Sequence, residues 1–282
     1  LRLETFRHVV IALAWTLADY NRESMDRATF DLSSDRLVDQ GYPSALRQAE
    51  FRPDFPRRGL LIDKRHGIVL RMNRHRYVGQ AYLGRRQLGR REIARLYRQE
   101  PINPSSERFY HVDSLFELPE TNLYSELIEL AERYPSLDLP EHSQIFADTR
   151  AAVDWLHAEG PLKGRILSSI GTFLRRDKEL GLALLRLALS GRKIILITNS
   201  SWDYAEPICS FLFDNLLPGL DSWRQLFDLV IVSSRKPRFF RKTNPFVRID
   251  ADGQPAGEVE QTEWGGVYRG GHLLGLMSLL DC

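Results

Sequence analysis

Cysteine is scarce in this chain: its 282 residues include two, Cys209 and Cys282. Two thiols cannot build a disulfide framework, and a four-cysteine metal site is excluded. That scarcity fits a reducing compartment and a cytoplasmic protein. An organelle stays compatible, because the chain begins at Leu1 rather than Met and any targeting peptide would lie before it. No apolar run approaches the roughly 20 residues that span a bilayer. Internal repeats and low-complexity linkers are also absent. What is present is ordinary for a folded protein: 43% hydrophobic and 27% charged residues argue against wholesale disorder. The length allows one large domain or two modest ones, with a sizeable buried core.

The net charge of +2 conceals an asymmetry. Between Arg57 and Arg98 stand thirteen Lys and Arg against two acids, Asp63 and Glu92. That segment carries +11 and leaves −9 for the rest of the chain. Such a block is either a solvated arginine-rich face or a surface for phosphates and RNA, with Tyr77, Tyr82 and Tyr97 interleaved as candidate stacking partners.

Residues 8–13 form a continuous apolar run that reads as a buried strand, as do 193–198 and 229–232. Leu180–Leu189 has a helical pattern stopped by Ser190-Gly191. Ser201–Phe213 places Trp202, Ala205, Ile208, Cys209, Leu212 and Phe213 at three- and four-residue spacing, a second helix. Strand, helix, strand is a parallel crossover unit. The intervening region holds a hairpin over 58–63 and 67–72 and helices near 123–133 and 149–158. The Asp252-Gly253 turn predicts another hairpin, with arms near 247–250 and 259–262. The expected architecture is a Rossmann-like α/β core of residues 1–20 plus 188–282, interrupted by a large α+β cap insertion over 21–187.

A resemblance then becomes specific. Trp15-Thr16-Leu17-Ala18-Asp19-Tyr20, Leu196-Ile197-Thr198-Asn199-Ser200 and Ser234-Arg235-Lys236-Pro237-Arg238-Phe239-Phe240 occur in that order. With them stand Arg36-Leu37-Val38-Asp39-Gln40-Gly41-Tyr42-Pro43, Glu107-Arg108-Phe109-Tyr110, Leu115-Phe116-Glu117-Leu118-Pro119-Glu120-Thr121 and the run from Asp148 to His157. Together the blocks resemble the cytosolic purine 5′-nucleotidases that prefer IMP and GMP, within the haloacid dehalogenase-like superfamily. The similarity runs from about residue 6 to the C-terminus.

The resemblance implies hydrolysis of phosphate monoesters through an aspartyl-phosphate, with Mg²⁺. Its first motif, Asp-x-Asp-x-Thr after strand one, supplies the nucleophile and the acid/base. Here that stretch reads Ala12-Leu13-Ala14-Trp15-Thr16. Alanine can be neither nucleophile, metal ligand nor acid, and Asp19 lies five residues past Ala14 on what must be a different backbone path. The second and third motifs are matched by Thr198, followed by Asn199 and Ser200, and by Lys236, all on the phosphate side. The fourth, an acidic Mg²⁺ motif, is expected after the helix over 271–280, and the sequence ends at Asp281-Cys282 before it. No cofactor is therefore expected for the chain as written. On the nucleotide side the resemblance assigns Phe116 to stacking on the purine, with Glu117 where the family has Asn, and Arg150, Asp154, His157 and Lys163 to holding the nucleotide. The spacing of Arg150, Asp154 and His157 puts all three on one helical face.

Three functions are weighed: a catalytically inactive relative that binds a purine nucleotide; a repurposed structural subunit of a larger assembly, whose basic segment grips RNA; and an engineered or incomplete form of an active IMP/GMP 5′-nucleotidase. The first is expected. In the superfamily's strand order, five-four-one-two-three, a core that stops at Cys282 leaves strand one at an open edge. That edge over 8–13 is expected to be covered by further residues of the same chain, a second copy or a partner protein.

Overall fold

The computed structural model describes residues 6–56, 58–98, 100–114 and 116–280. Leu1, Arg57, Leu115, Asp281 and Cys282, named above, lie outside the described residues. From the N-terminus the elements are β1 (His8–Ile11), β2 (Asp19–Tyr20), α1 (Arg22–Asp39), β3 (Leu60–Asp63), β4 (Ile68–Met72), β5 (Val78–Leu83), β6 (Arg86–Gln87), α2 (Arg90–Tyr97), β7 (Phe109–Val112), α3 (Glu117–Arg133), α4 (His142–Glu159), α5 (Pro161–Ser168), α6 (Ile170–Phe173), β8 (Leu174–Arg175), α7 (Lys178–Leu189), β9 (Lys193–Ile197), α8 (Trp202–Phe213), β10 (Leu229–Val232), β11 (Phe246–Ile249), β12 (Pro255–Val259), β13 (Val267–Gly270) and α9 (Leu273–Leu280). None of the described helices is long and apolar enough to cross a membrane.

The chain divides into two compact units, Leu1–Asn21 with Ile166–Cys282 and, separately, Arg22–Arg165. The return from the insertion therefore falls at residue 166, not 188. Residues 166–187 group with the first unit because β8 pairs with β2 and α7 leads directly into β9.

The first unit is an α/β layer built on a six-stranded sheet in the order β1-β9-β10-β13-β11-β12. The four strands β1, β9, β10 and β13 run parallel, and β11 and β12 add antiparallel. Central strands covered on both faces need apolar side chains at every position. Ile194–Ile197 and Leu229–Val232 meet that demand and are buried throughout. The crossover helix α8 turns Tyr204, Ala205, Ile208, Cys209, Leu212 and Phe213 inward. Helix α7 starts at Lys178, earlier than its apolar pattern, because the Asp177 carboxylate accepts the Glu179 N–H at 2.8 Å and caps the first turn.

Among the described residues β1 pairs on one side only, with β9, and forms the end of the sheet. Its Val10 is 53% exposed. The strand is shorter than the apolar run over 8–13. The Leu13 carbonyl accepts the N–H groups of Thr16, Leu17 and Ala18 at 3.0–3.3 Å, which turns the chain out of the sheet.

The predicted C-terminal hairpin forms with its second arm displaced. Asp250 Oδ1 accepts the N–H groups of Asp252 and Gln254, and Asp250 N–H donates to the Gln254 carbonyl at 3.0 Å. This turn closes at Gln254, so the returning strand begins at Pro255 rather than Val259.

The second unit is a five-stranded antiparallel sheet, β6-β5-β4-β3-β7, with α1, α3 and α4 on one face and α2 on the other. Alternation along the strands sends Ile62, Val69 and Val112 into a core shared with Phe30 of α1, Leu123, Tyr124 and Leu127 of α3, and Ile145 of α4. Leu61, Ile68, Leu70 and Ala81 point the other way, under Tyr97 of α2 and Ile102. Gly84 opens the β5–β6 turn at φ +56°, where a Cβ would lie 2.9 Å from the Glu129 backbone. Helix α1 is absent from the sequence reading. Its buried face includes Thr29, Ser33 and Ser34 beside Phe30 and Leu37, so polar residues interrupt the apolar stripe.

Candidate functional site

In the first unit the C-terminal ends of β1 and β9 lie side by side, since Ile11 is in register with Leu196. Ligands of open parallel sheets bind at the carboxyl ends of such strands. The chain leaves β1 through Ala12, half-buried, and Ala14, exposed. It leaves β9 through Thr198, Asn199 and Ser200, and then enters α8.

The turn after β9 is bonded to the loop after β10. Thr198 N–H donates to the Ile231 carbonyl at 2.8 Å, Ser234 N–H to the Thr198 carbonyl at 3.0 Å, and Ser233 N–H to the Ser200 carbonyl at 2.8 Å. Asn199 adds a side-chain clasp. Its Oδ1 accepts the Lys236 N–H at 2.6 Å and the Ser234 hydroxyl at 2.9 Å, while its Nδ2 donates to the Lys236 carbonyl at 3.0 Å. The Lys236 ammonium donates to the Ile197 carbonyl at 2.7 Å, which leaves two of its three N–H donors. Burial holds the Lys236 amine below its ordinary range. Thr198 Oγ1 accepts the Ser200 N–H at 3.1 Å and keeps its own proton to donate. Hydroxyls, an ammonium and the N-terminus of a twelve-residue helix converge on the turn, a donor set suited to an anion.

Ala12 and Ala14 follow β1 beside this turn. Neither alanine carries a reactive atom. Asp19 sits in β2, registered opposite Arg175 of β8 in a separate two-stranded ribbon. Cys209 is fully buried and burial pushes its thiol up, so it offers no thiolate. Mg²⁺ requires hard oxygen ligands, carboxylates foremost. Alanines at 12 and 14 do not fit that requirement, and among the described residues no group of three His, Cys, Asp or Glu could hold a metal ion.

In the second unit, Phe116 stands just before α3, with 52% of its surface exposed. Glu117 is occupied by its own loop. Its carboxylate accepts the Tyr110 hydroxyl at 2.5 Å and the N–H groups of Asp113 and Ser114 at 2.9 and 2.7 Å. Burial pushes this carboxyl up, and those donors outweigh it and hold it below its ordinary range. Helix α4 carries Arg150, Asp154 and His157 on one face. The Arg150 guanidinium donates to the Tyr110 hydroxyl and lies 4.8 Å from that ring's centroid. It also reaches Glu120 of α3 at 3.3 Å. Glu120 is 4% exposed, and burial raises its carboxyl to about 7 against the pull of Arg150. Loss of water around His157 holds its imidazole below the usual range; Asp154 opposes that shift and Lys163, in α5, adds to it.

Thr198, Asn199, Ser200 and Lys236 are thus gathered in one hydrogen-bonded turn, and Arg150, Asp154, His157 and Lys163 interact in one neighbourhood of the other unit. Sequence reasoning passed over Tyr110 and Glu120, which engage Arg150. Both lie inside the quoted blocks, and an acid one helical turn after Glu117 was the available signal.

The chain is 32% identical over 280 residues to a 5′-nucleotidase domain-containing protein of Dictyostelium discoideum, covering 92% of this chain and 45% of that protein. It is 28% identical over 284 residues to the human 5′-nucleotidase domain-containing protein 2, covering 95% of this chain and 52% of that one. The rat protein of the same name is also 28% identical, with 49% of its length covered. The chain therefore spans about half the length of these relatives. Residues 1–282 match the 5′ nucleotidase family throughout, and the chain belongs to that family.

Proposed function

We propose that this chain binds a purine nucleoside monophosphate and does not hydrolyse it. The observation that carries this reading is Ala12 and Ala14 at the end of β1, beside a turn that retains Thr198, Ser200 and Lys236. In the haloacid dehalogenase-like scheme that the motifs resemble, those alanines replace the nucleophile and the acid/base. Losing one member of such a set costs about 10⁴- to 10⁶-fold in rate. The remaining donors are a phosphate-binding set without its reactive partner. Two fewer carboxylates also mean less repulsion of a phosphate dianion, so binding does not depend on Mg²⁺.

Phe116, Arg150, Asp154, His157 and Lys163 supply the recognition of base and sugar in this reading. Glu117 spends its acceptors on Tyr110, Asp113 and Ser114. The purine is therefore held by stacking more than by a carboxylate–base hydrogen bond, with loose selectivity between IMP and GMP as the consequence.

Two measurements test the proposal. Phosphate release from IMP or GMP with Mg²⁺ should stay at the buffer rate; turnover that Lys236→Ala abolishes would overturn the inactivity. Calorimetry without metal should register both nucleotides, with weaker binding in Lys236→Ala, Phe116→Ala and Arg150→Ala. No heat at millimolar nucleotide would overturn the binding.

A further inference from the structure

We propose that the second unit binds a single-stranded polynucleotide along a basic track formed by the β4–β5 hairpin tip, α2 and the segment after α2. This surface shares no residue with the nucleotide reading above. Of the twelve described Lys and Arg from Arg58 to Arg98, Arg85 and Arg86 alone pair with an acid, Glu126 and Glu92 respectively. Among the described residues none of the others forms a salt bridge, and Arg95 alone of them interacts with an acid, Glu92, at longer range. Arg90 and Arg91 even occupy the first turn of α2, where the helix dipole disfavours a cation.

The tip is built to present its side chains. Asn73 Oδ1 accepts the N–H groups of His75 and Tyr77 at 2.8 and 3.1 Å, and Ile102 N–H anchors the Arg76 carbonyl at 2.9 Å. Arg74, His75 and Arg76 are exposed, as is 41% of Tyr77. Tyr77 and Arg90 line a cavity of about 560 Å³ that also includes Gly79 and the outer side of α2. A second cavity, of about 540 Å³, is lined by Arg65, Arg98, Arg108, Asn103 and Ser106. The two adjoin, since Tyr97 and Glu100 line both. Arg108 is committed to Asp63, so Arg65, Arg90 and Arg98, with Arg74 and Arg76 at the tip, remain as phosphate partners. Glu100 is the acid among these lining residues. A row of unpaired guanidinium groups with an exposed aromatic between them suits a chain of phosphates carrying stackable bases better than an acidic protein, which has no bases to stack.

The test is fluorescence anisotropy with 5′-hydroxyl oligouridylate and oligodeoxythymidylate of twelve nucleotides. The 5′-hydroxyl keeps the probe from acting as a monophosphate, and added IMP should not compete. Binding should fall about 50-fold between 50 and 200 mM salt, as expected for about four phosphate contacts on a single strand. Arg74→Ala/Arg76→Ala and Arg90→Ala should each weaken it at least fivefold, and Tyr77→Ala about tenfold. Glu100→Gln should strengthen it, an outcome that misfolding cannot produce. The ribose and deoxyribose probes decide which sugar is preferred. The proposal is overturned by no binding of either probe at 50 mM salt, by an equal loss in a control of matched charge, Arg238→Ala/Arg241→Ala, or by equal affinity for polyglutamate of the same charge.

Discussion

Asn199 and Lys236 hold each other through two hydrogen bonds of opposite sense, the Lys236 N–H into the Asn199 carboxamide oxygen and the Asn199 amide into the Lys236 carbonyl, at 2.6 and 3.0 Å. The strand ends after β9 and β10 thereby share one side chain. Lys236 reaches back over this clasp to the Ile197 carbonyl, so its ammonium is placed by Asn199 rather than by chance of its own rotamers.

Asn199→Ala removes both bonds and the contact with the Ser234 hydroxyl. Because the residue is exposed, the cost to folding is modest, about 1–2 kcal/mol. The effect on phosphate and nucleotide affinity is larger, at least tenfold, since the lysine loses its anchor. Asn199→Asp keeps the acceptor and loses the donor, and should fall between. Calorimetry with inorganic phosphate checks this; a variant that melts lower yet binds phosphate normally contradicts the positioning role.

The parts of the fold that the sequence displays are those under a single strong constraint. Ile194–Ile197 and Leu229–Val232 are buried on both faces, so their composition alone marks them as central strands. The α8 stripe is equally plain. Helix α1 is hidden because Ser33 and Ser34 sit on its buried face and blank the apolar periodicity; the Ser34 hydroxyl is satisfied there by donating to the Phe30 carbonyl at 2.8 Å. The second arm of the C-terminal hairpin was misplaced because Asp250, not the Asp252-Gly253 pair, sets where the turn closes. The site divides in the same way. Thr198 and Lys236 could be read from their motifs, whereas the Asn199 clasp depends on residues 37 apart in sequence. The role of Tyr110 against Arg150 likewise joins residues 40 apart.

Asp63 and Arg108 form the ion pair that fastens the second unit's sheet. Asp63 is fully buried and accepts two N–H bonds from Arg108 at 2.8 and 2.5 Å, the Tyr97 hydroxyl at 2.8 Å and the His66 ring nitrogen at 3.0 Å. Burial pushes its carboxyl up, and these donors outweigh burial and hold it below the ordinary range. A depressed native value contributes stability that is present above the unfolded-state value of about 3.9 and lost as pH falls through the native one. Removing one partner of a buried pair leaves the other uncompensated, at about 3–5 kcal/mol. Arg108→Met should therefore destabilise by that order in urea unfolding near neutral pH, and the loss should shrink below pH 3. A loss that is the same at pH 7 and pH 2.5 would remove the ion pair from the account.

Glu120 works in the opposite direction. Its carboxyl is almost completely buried between α3 and Arg150 of α4, and burial raises it to about 7 in the folded state. The 3.3 Å approach of Arg150 only partly offsets this, because that guanidinium is itself more than a third exposed and shared with Tyr110. A raised native value means that the folded protein binds a proton that the unfolded chain has released. The stabilisation is complete below the unfolded value of about 4.3 and disappears as pH rises through about 7, with an amplitude of roughly 4 kcal/mol. His157, whose imidazole is lowered, acts with the opposite slope over part of this interval, so the wild-type curve alone mixes the two. Glu120→Gln keeps the shape of the side chain and removes its titration. The difference in unfolding free energy between wild type and variant should therefore fall steadily from pH 5 to pH 8, while the acid limb set by Asp63 stays in both. Parallel curves for the two proteins across that range would show that Glu120 is already ionised in the folded state.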